Sequence, residues 1–391
     1  MKIAVYGGSF NPPHRGHLEA ARSVCENAEP DVLFIIPDNI PPHKDMDSGS
    51  PEAAERLQLC RLNFASLEKA VVSDMEINRS GKRYTADTIA RLREMYPGDE
   101  IVLTVGSDMF LSFEEWYRYP YLLENCTLAV ISRDEDDGEQ LLAHKEHMER
   151  EYSAKIEIMA HMALPMSSTE IRELLRMRMG SEYLTDEVYS AIVRNGFYEA
   201  SPELSWLREK VIPYLSEHRL AHVAGCEAEA VRLAQHYGED PELAAEAAIL
   251  HDITKKMGRE EQLILCRKYG IICDKAQLEN EKLLHAVTGA ALSKDLFGVS
   301  EDVADAIRWH TTGKEDMNLL EKIIYLADYI EPTRDFDGVE ELRKACYDDL
   351  DEAMILGLEM GLEELKRQNV EPHRDSVEAL NWYINRRNEI C

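Results

Sequence analysis

Apolar, strand-like runs recur through the first 200 residues and then cease. "KIAVYGG", "VLFIIP", "AVVSDME", "EIVLTVGSD" and "CTLAVISR" each precede or follow an amphipathic segment of helical period. Strand and helix in alternation leave few topologies open. The expected one is a mostly parallel, doubly wound sheet that takes ligands beyond the carboxyl ends of its strands. From about residue 201 the strand signals stop, and "AGCEAEAVRLAQHYG", "PELAAEAAILHD" and "LLEKIIYLADYIEP" carry helical periodicity alone, so the second half is expected to be all-α. A chain of 391 residues exceeds what one core usually supports, and the expected units are 1–199 and 204–391. Asn195-Gly196 reads as a helix end, and Ser201-Pro202-Glu203 as an N-cap with proline at the first helical position.

The formal net charge is −30, shared almost evenly between the halves. Such a balance argues against non-specific binding to nucleic acid or an anionic membrane, which needs basic patches to displace phosphate counterions. No apolar run reaches the roughly 18 residues that span a bilayer, and "MKIAVYGGSF" is too short for a secretory core. A cytoplasmic location is expected, and the sequence is compatible with a homo-oligomer without specifying one. The eight cysteines are scattered and never form C-x-x-C, which reads as reduced thiols rather than a disulfide framework or zinc knuckle.

Straight off the first strand runs "YGGSFNPPHRGH", Tyr6 to His17. Gly7 and Gly8 let backbone N–H groups approach a ligand, and a helix beginning near His14 aims its positive end at an anion. His14 and His17, three apart, share one face of the first turn, where both can donate to phosphate oxygens. Far downstream, "MSSTEIRELL" opens a helix with Ser167, Ser168 and Thr169, and Arg172 follows within a turn. Alone, S-S-T-E is a capping box and H-x-x-H a solvated or metal-binding pair. Their combination resembles the HxGH nucleotidyltransferases, with Met166 in place of the usual isoleucine of the ISSTxxR motif.

"PDNIPPHK", "RYTADT" and "GSDMFLSFEEWYRY" narrow the resemblance to the bacterial nicotinate mononucleotide adenylyltransferases, over residues 1–199. The resemblance implies an α/β Rossmann-like domain. It makes His14, His17, Lys44 and Arg172 catalytic. Gly7, Gly8, Ser9, Phe10, Asn11, Gly106, Asp108, Ser167, Ser168 and Thr169 would bind ATP and its phosphates. Trp116 would stack on the pyridine ring, with Thr85 and Tyr117 at its carboxylate. The implied reaction is in-line attack of the mononucleotide 5′-phosphate on the α-phosphate of ATP, with Mg2+ held mainly by the triphosphate. A pantetheine-phosphate adenylyltransferase is the runner-up, and Trp116 with its flanks argues against it.

In the second half, "AAILHDITKK" places His251 and Asp252 at the end of an alanine- and leucine-rich run. His222 in "HRLAHVAGC", His285 in "LLHAVTGA", His310 in "AIRWHTTG" and Asp328 in "IYLADYIEP" also sit in or beside apolar stretches. One buried histidine is ordinary core, but four with two aspartates would be a costly core without a metal ion. The order H…HD…H…H…D resembles the HD phosphohydrolases, all-α metalloenzymes, and within them the diadenosine tetraphosphate hydrolases. That resemblance gives His222, His251, Asp252 and Asp328 to a first metal, leaving His285 and His310 for a second or for phosphate. Imidazole with carboxylate suits one or two Fe2+ or Mn2+ ions. Lys255 and Arg334 are phosphate contacts or surface charges with equal claim. The chain as a whole is expected to be bifunctional, taking ATP, nicotinate mononucleotide and diadenosine tetraphosphate. The competing readings of the second unit are a hydrolase of another nucleotide and a metal- or nucleotide-binding regulatory module without turnover.

Overall fold

In the computed structural model the apolar runs of the first half become β1 (Lys2–Gly8), β2 (Val32–Pro37), β3 (Ala70–Val72), β4 (Glu100–Gly106), β5 (Thr127–Ile131) and β6 (Lys155–Met159). The structure describes residues 1–39, 49–77, 84–132, 138–159 and 166–390. All pairings among the six strands are parallel, in the order β3-β2-β1-β4-β5-β6. Every residue of β5 is buried, because a parallel sheet is covered on both faces, and this is why its run is continuously apolar. Alternate side chains feed two cores. Ile3, Val5, Leu103, Val105, Leu128 and Val130 enter one, while Ala4, Leu33, Ile35, Val102, Ala129 and Ile131 enter the other.

The strand order reverses between β1 and β4, and a doubly wound sheet opens its ligand crevice at that switch point. Gly7 and Gly8 end β1 and Gly106 ends β4, so the glycines lie at the crevice. The helices of this unit are α1 (Arg15–Asn27), α2 (Ala53–Asn63), α3 (Thr85–Met95), α4 (Ser107–Leu111), α5 (Tyr119–Asn125), α6 (Gly138–Tyr152), α7 (Ser168–Arg176) and α8 (Asp186–Asn195). Gly196 closes α8 at φ 63°, the left-handed conformation that ends helices.

The chain forms two compact units, Met1–Ser201 and Pro202–Cys391. The second contains only helices among the described residues. They are α9 (Leu204–Val211), α10 (Glu217–Tyr237), α11 (Pro241–Leu250), α12 (Arg259–Tyr269), α13 (Lys275–Glu279), α14 (Glu281–Phe297), α15 (Glu301–Trp309), α16 (Leu319–Ile330), α17 (Val339–Asp348), α18 (Leu350–Arg367) and α19 (Arg374–Ile390). The start of α9 corrects the expectation for Ser201-Pro202. Its N-cap is Glu203, extended at φ −67° and ψ 130°, so helical geometry begins at Leu204, where Trp206, Leu207 and Val211 have a core to enter. None of these helices is long and apolar enough to cross a membrane.

At the centre stands α11. Asp240 caps it by accepting from the N–H groups of Glu242 and Leu243, and Pro241 occupies the first position. From Ala244 to Leu250 every residue is buried, the mark of a helix surrounded by others. Its end therefore delivers His251 and Asp252 into the interior.

Candidate active sites

In the first unit His14 caps α1 and His17 lies in its first turn, with the two rings 3.7 Å apart. The His14 N–H donates to His17 Nδ1 at 3.2 Å, so a neutral His17 carries its proton on Nε2 and can donate it. The two expected motifs form one structure although 156 residues separate Pro12 from Ser168. Ser168 Oγ donates to Pro12 O at 3.1 Å, and Arg172 Nη1 donates to Asn11 O at 2.7 Å. Arg172 is buried and also donates to Ser168 O and Thr169 Oγ1, so its guanidinium ties the loop to the start of α7. Ser167 and Glu170 form the capping box of α7.

Gly7, Gly8, Ser9, Phe10 and Asn11 run from the end of β1 toward α1, and Asp108 is exposed in the first turn of α4 beyond Gly106. Thr85 opens α3, and the ring of the preceding Tyr84 lies 4.5 Å from that of Tyr117. The half-buried Trp116 stacks on Phe113 at 4.9 Å, leaving one of its faces to the core. Lys44 lies outside the described residues.

The second unit brings all six expected ligands together. His222 comes from α10, His251 and Asp252 follow α11, His285 comes from α14, His310 follows α15 and Asp328 lies on α16. His222 Nε2 is 3.3 Å from His251 Nε2 and 3.1 Å from Asp328 Oδ1. His285 Nε2 is 3.0 Å from His310 Nε2 and 3.2 Å from Asp252 Oδ1. Ligand atoms converge in two overlapping groups, His222–His251–Asp328 and His251–Asp252–His310.

The hydrogen bonds behind the rings decide what they offer. His251 Nδ1 is 2.7 Å from Ala248 O, and His310 Nδ1 is 2.6 Å from Ile307 O. A carbonyl only accepts, so both rings carry Nδ1–H and turn an unprotonated Nε2 inward. His222 Nδ1 is likewise fixed, by Glu331 Oε1 at 3.0 Å, the carboxylate–histidine arrangement that orients metal ligands. Lone pairs thus face one another and two carboxylates, and the buried Asp252 Oδ1 accepts no well-aligned hydrogen bond. Such a set repels itself unless a cation stands at its focus, so the residues fit a divalent metal.

The electrostatics agree. Burial alone would push the Asp252 carboxyl up, but His251, His285 and Lys255 hold it well below the usual carboxylate range. Burial is likewise outweighed at Asp328, by His222, His251 and Arg334. Burial pushes His285 and His310 down, which keeps them neutral and able to ligate. For His222 burial is outweighed by Asp328 and Glu331, and its pKa rises.

Lys255 and Arg334 face the cluster. Lys255 Nζ is 3.0 Å from His285 Nε2 and 3.5 Å from Asp252 Oδ1, and Arg334 pairs with Asp328. Sequence reasoning missed Arg219, whose Nη1 donates to Asp252 Oδ2 at 2.7 Å, and Glu331 behind His222. A signal for Arg219 was its place three residues before His222, on the same helix face. For Glu331 the signal was a second carboxylate three residues after Asp328; the structure sets it against Gly225, where a Cβ would stand 2.6 Å from Glu331 Oε2.

Comparison with known proteins gives each half separate relatives. A cytidylyltransferase-like family profile matches residues 5–174, and an HD domain profile matches residues 219–333. A probable nicotinate-nucleotide adenylyltransferase of Carboxydothermus hydrogenoformans is 34% identical over 198 residues, 50% of this chain and 98% of that protein. The symmetrical bis(5′-nucleosyl)-tetraphosphatase of Bacillus subtilis is 41% identical over 174 residues, 44% of this chain and 91% of that protein. The crystal structure of a predicted HD superfamily hydrolase from Clostridium acetobutylicum shares 38% identity, covering 48% of this chain and all of its own at a TM-score of 0.47. The chain is a fusion whose first half belongs to the nicotinate-nucleotide adenylyltransferase family and whose second half belongs to the HD-domain family of symmetrical bis(5′-nucleosyl)-tetraphosphatases.

Proposed function

We propose that the first unit transfers the adenylyl group of ATP to nicotinate mononucleotide, and that the second hydrolyses diadenosine tetraphosphate symmetrically to two ADP. The observation that carries the reading is the joining of separated motifs into two built sites. Ser168 and Arg172 are tied to the loop that presents His14 and His17, and four imidazoles with two carboxylates converge at the end of α11.

In the first unit the 5′-phosphate oxygen of the mononucleotide attacks the α-phosphorus, a new P–O bond forms, and the bond to the β-phosphate bridging oxygen breaks to release pyrophosphate. No proton must leave carbon and no covalent enzyme intermediate is needed, so placement and charge neutralisation do the work. His14, His17 and Arg172, with Lys44 by resemblance, stabilise the charge that develops. Gly7 to Asn11, Gly106, Asp108 and Ser167 to Thr169 hold ATP with its Mg2+. Thr85, Trp116 and Tyr117 receive the nicotinate ring.

In the second unit His222, His251, Asp252, His285, His310 and Asp328 would hold one or two Fe2+ or Mn2+ ions. A divalent cation there supplies Lewis acidity toward phosphate and water. Arg219, Lys255 and Arg334 are partly exposed at the rim, with side chains 25%, 28% and 36% accessible. They bring positive charge to a polyphosphate in a chain whose net charge is −30. Asp252 holds Arg219 and Lys255 in place, and Asp328 holds Arg334.

Two incubations test the reading. The protein with ATP and nicotinate mononucleotide should yield pyrophosphate and nicotinate adenine dinucleotide, and the anaerobically metallated protein with diadenosine tetraphosphate should yield ADP alone. A marked preference for nicotinamide mononucleotide would overturn the acceptor assignment, and ATP plus AMP as products would overturn symmetrical cleavage.

A further inference from the structure

The loop from Ser9 to His14 is held by its carbonyl oxygens, and the donors come from outside it. Ser9 O accepts from Arg56 Nη1 at 2.6 Å, Asn11 O from Arg172, Pro12 O from Ser168, and His14 O from Asn63 Nδ2 at 3.3 Å. Arg56, on α2, makes one of these ties and three more to the chain that follows β2. Its Nη1 also reaches Asp38 Oδ1 at 3.1 Å, and its Nη2 donates to Asp38 O and Asn39 O, both at 2.8 Å. One guanidinium therefore clamps the backbone that leaves β1 to the backbone that leaves β2. The clamp is closed by the Asp38 N–H, which donates to Gly8 O at 3.1 Å.

Arg56 is 1% exposed, so it cannot itself meet a nucleotide. A guanidinium survives at that depth because its fixed fork finds an acceptor in several directions, which an ammonium cannot reproduce. Pairing with Asp38 offsets its charge, so what it gives the loop is position more than field. In a trans peptide the carbonyl and the following N–H point opposite ways. Drawing Ser9 O toward Arg56 therefore turns the Phe10 N–H away from α2. Phe10 itself sits at φ 46°, a left-handed conformation that a phenylalanine keeps only when its surroundings fix it. Its ring is locked edge-on between Tyr6, His17 and Phe64, so Phe10 is fixed at the ring by packing and at the preceding carbonyl by Arg56. From the far end of the unit, Tyr198 OH donates to Asn11 Oδ1 at 2.8 Å in a buried contact.

We infer that Arg56, with Tyr198, is a positioning residue for adenylyl transfer, setting from behind the Gly8–Asn11 backbone on which the triphosphate rests. The inference depends on the adenylyltransferase reading of this unit. Its test uses the full-length chain with Arg56→Lys, which keeps the charge and removes the fork. The expected result is a folded protein whose kcat for adenylyl transfer falls about 100-fold while KM for nicotinate mononucleotide stays within threefold. Hydrolysis of diadenosine tetraphosphate by the same molecules should be unchanged. A folded Arg56→Lys protein with kcat within threefold of wild type overturns the proposal, because charge alone would then suffice.

If Arg56→Lys does not fold, Tyr198→Phe removes a single hydroxyl from the other end of the loop. A fall of about tenfold in kcat supports the proposal, and an unchanged kcat overturns it. Calorimetric binding of α,β-methylene-ATP separates this claim from the choice of acceptor. Should the wild type bind the analogue yet transfer nothing to nicotinate mononucleotide, the activity reading fails. Affinity then decides the positioning claim, with at least tenfold weaker binding by Arg56→Lys supporting it and equal binding overturning it.

Discussion

A methyl group added at Gly225 tests how the metal cluster is held. Gly225 lies one turn after His222 on α10, and its Cβ would stand 2.6 Å from Glu331 Oε2 and 3.3 Å from Pro332 Cδ. Glu331 has little freedom to yield. It is fully buried, its Oε2 accepts the Thr333 N–H at 2.7 Å, and its Oε1 accepts the Thr333 hydroxyl while facing His222 Nδ1. Displacing the carboxylate takes from His222 a charge-assisted hydrogen bond worth about 1.5–3 kcal/mol, along with the tautomer that bond enforces. Since about 1.4 kcal/mol is a factor of ten, Gly225→Ala should weaken metal affinity by about 10–100-fold. Helix propensity acts the other way, because alanine in a helix interior is favoured over glycine by about 1 kcal/mol. Metal affinity should therefore fall by that factor, while the stability of the metal-free protein, which loses the same hydrogen bond but gains helix propensity, falls by at most about 2 kcal/mol. Calorimetric titration of the metal-free variant with Mn2+ measures the first, and its thermal midpoint without metal measures the second. Hydrolysis should return at saturating Mn2+. A Gly225→Ala protein that binds Mn2+ as tightly as wild type would refute the view that Glu331 orients His222 for ligation.

Removing the metal with a chelator should abolish hydrolysis and lower the unfolding temperature of the second unit, since binding to the folded state alone stabilises by mass action. Adenylyl transfer, assayed with Mg2+ restored, should survive, and its loss would contradict two independent sites. Trp116→Ala removes an aromatic face worth about 1 kcal/mol of stacking, so KM for nicotinate mononucleotide should rise several-fold with little change in ATP affinity. An unchanged KM would mean that Trp116, already stacked on Phe113, serves only the core.

The sheet was legible because a strand buried on both faces must be apolar throughout, as β5 is, and because the glycines ending β1 and β4 mark where a chain turns toward a ligand. The family motifs were legible because phosphate and metal chemistry require particular atoms at short range. The supports were not. Arg56 looks like any charged residue on a helix, and nothing in its spacing says that four acceptors will surround it. Tyr198 lies 187 residues from the asparagine it bonds. Side chains of this kind act through tertiary geometry, which periodicity does not encode. The start of α9 was misplaced for a related reason. A serine–proline pair is compatible with an N-cap, but the apolar face that follows determines which residue first turns helical.

The central claim is that one chain carries two chemically independent sites, and crossed variants test it most directly. His17→Ala and Asp252→Ala should each be assayed for both reactions at equal metal loading. Asp252→Ala is expected to abolish hydrolysis and leave adenylyl transfer at the wild-type rate, whereas His17→Ala is expected to impair adenylyl transfer strongly and leave hydrolysis intact. Undiminished hydrolysis in Asp252→Ala, or undiminished transfer in His17→Ala, would contradict it.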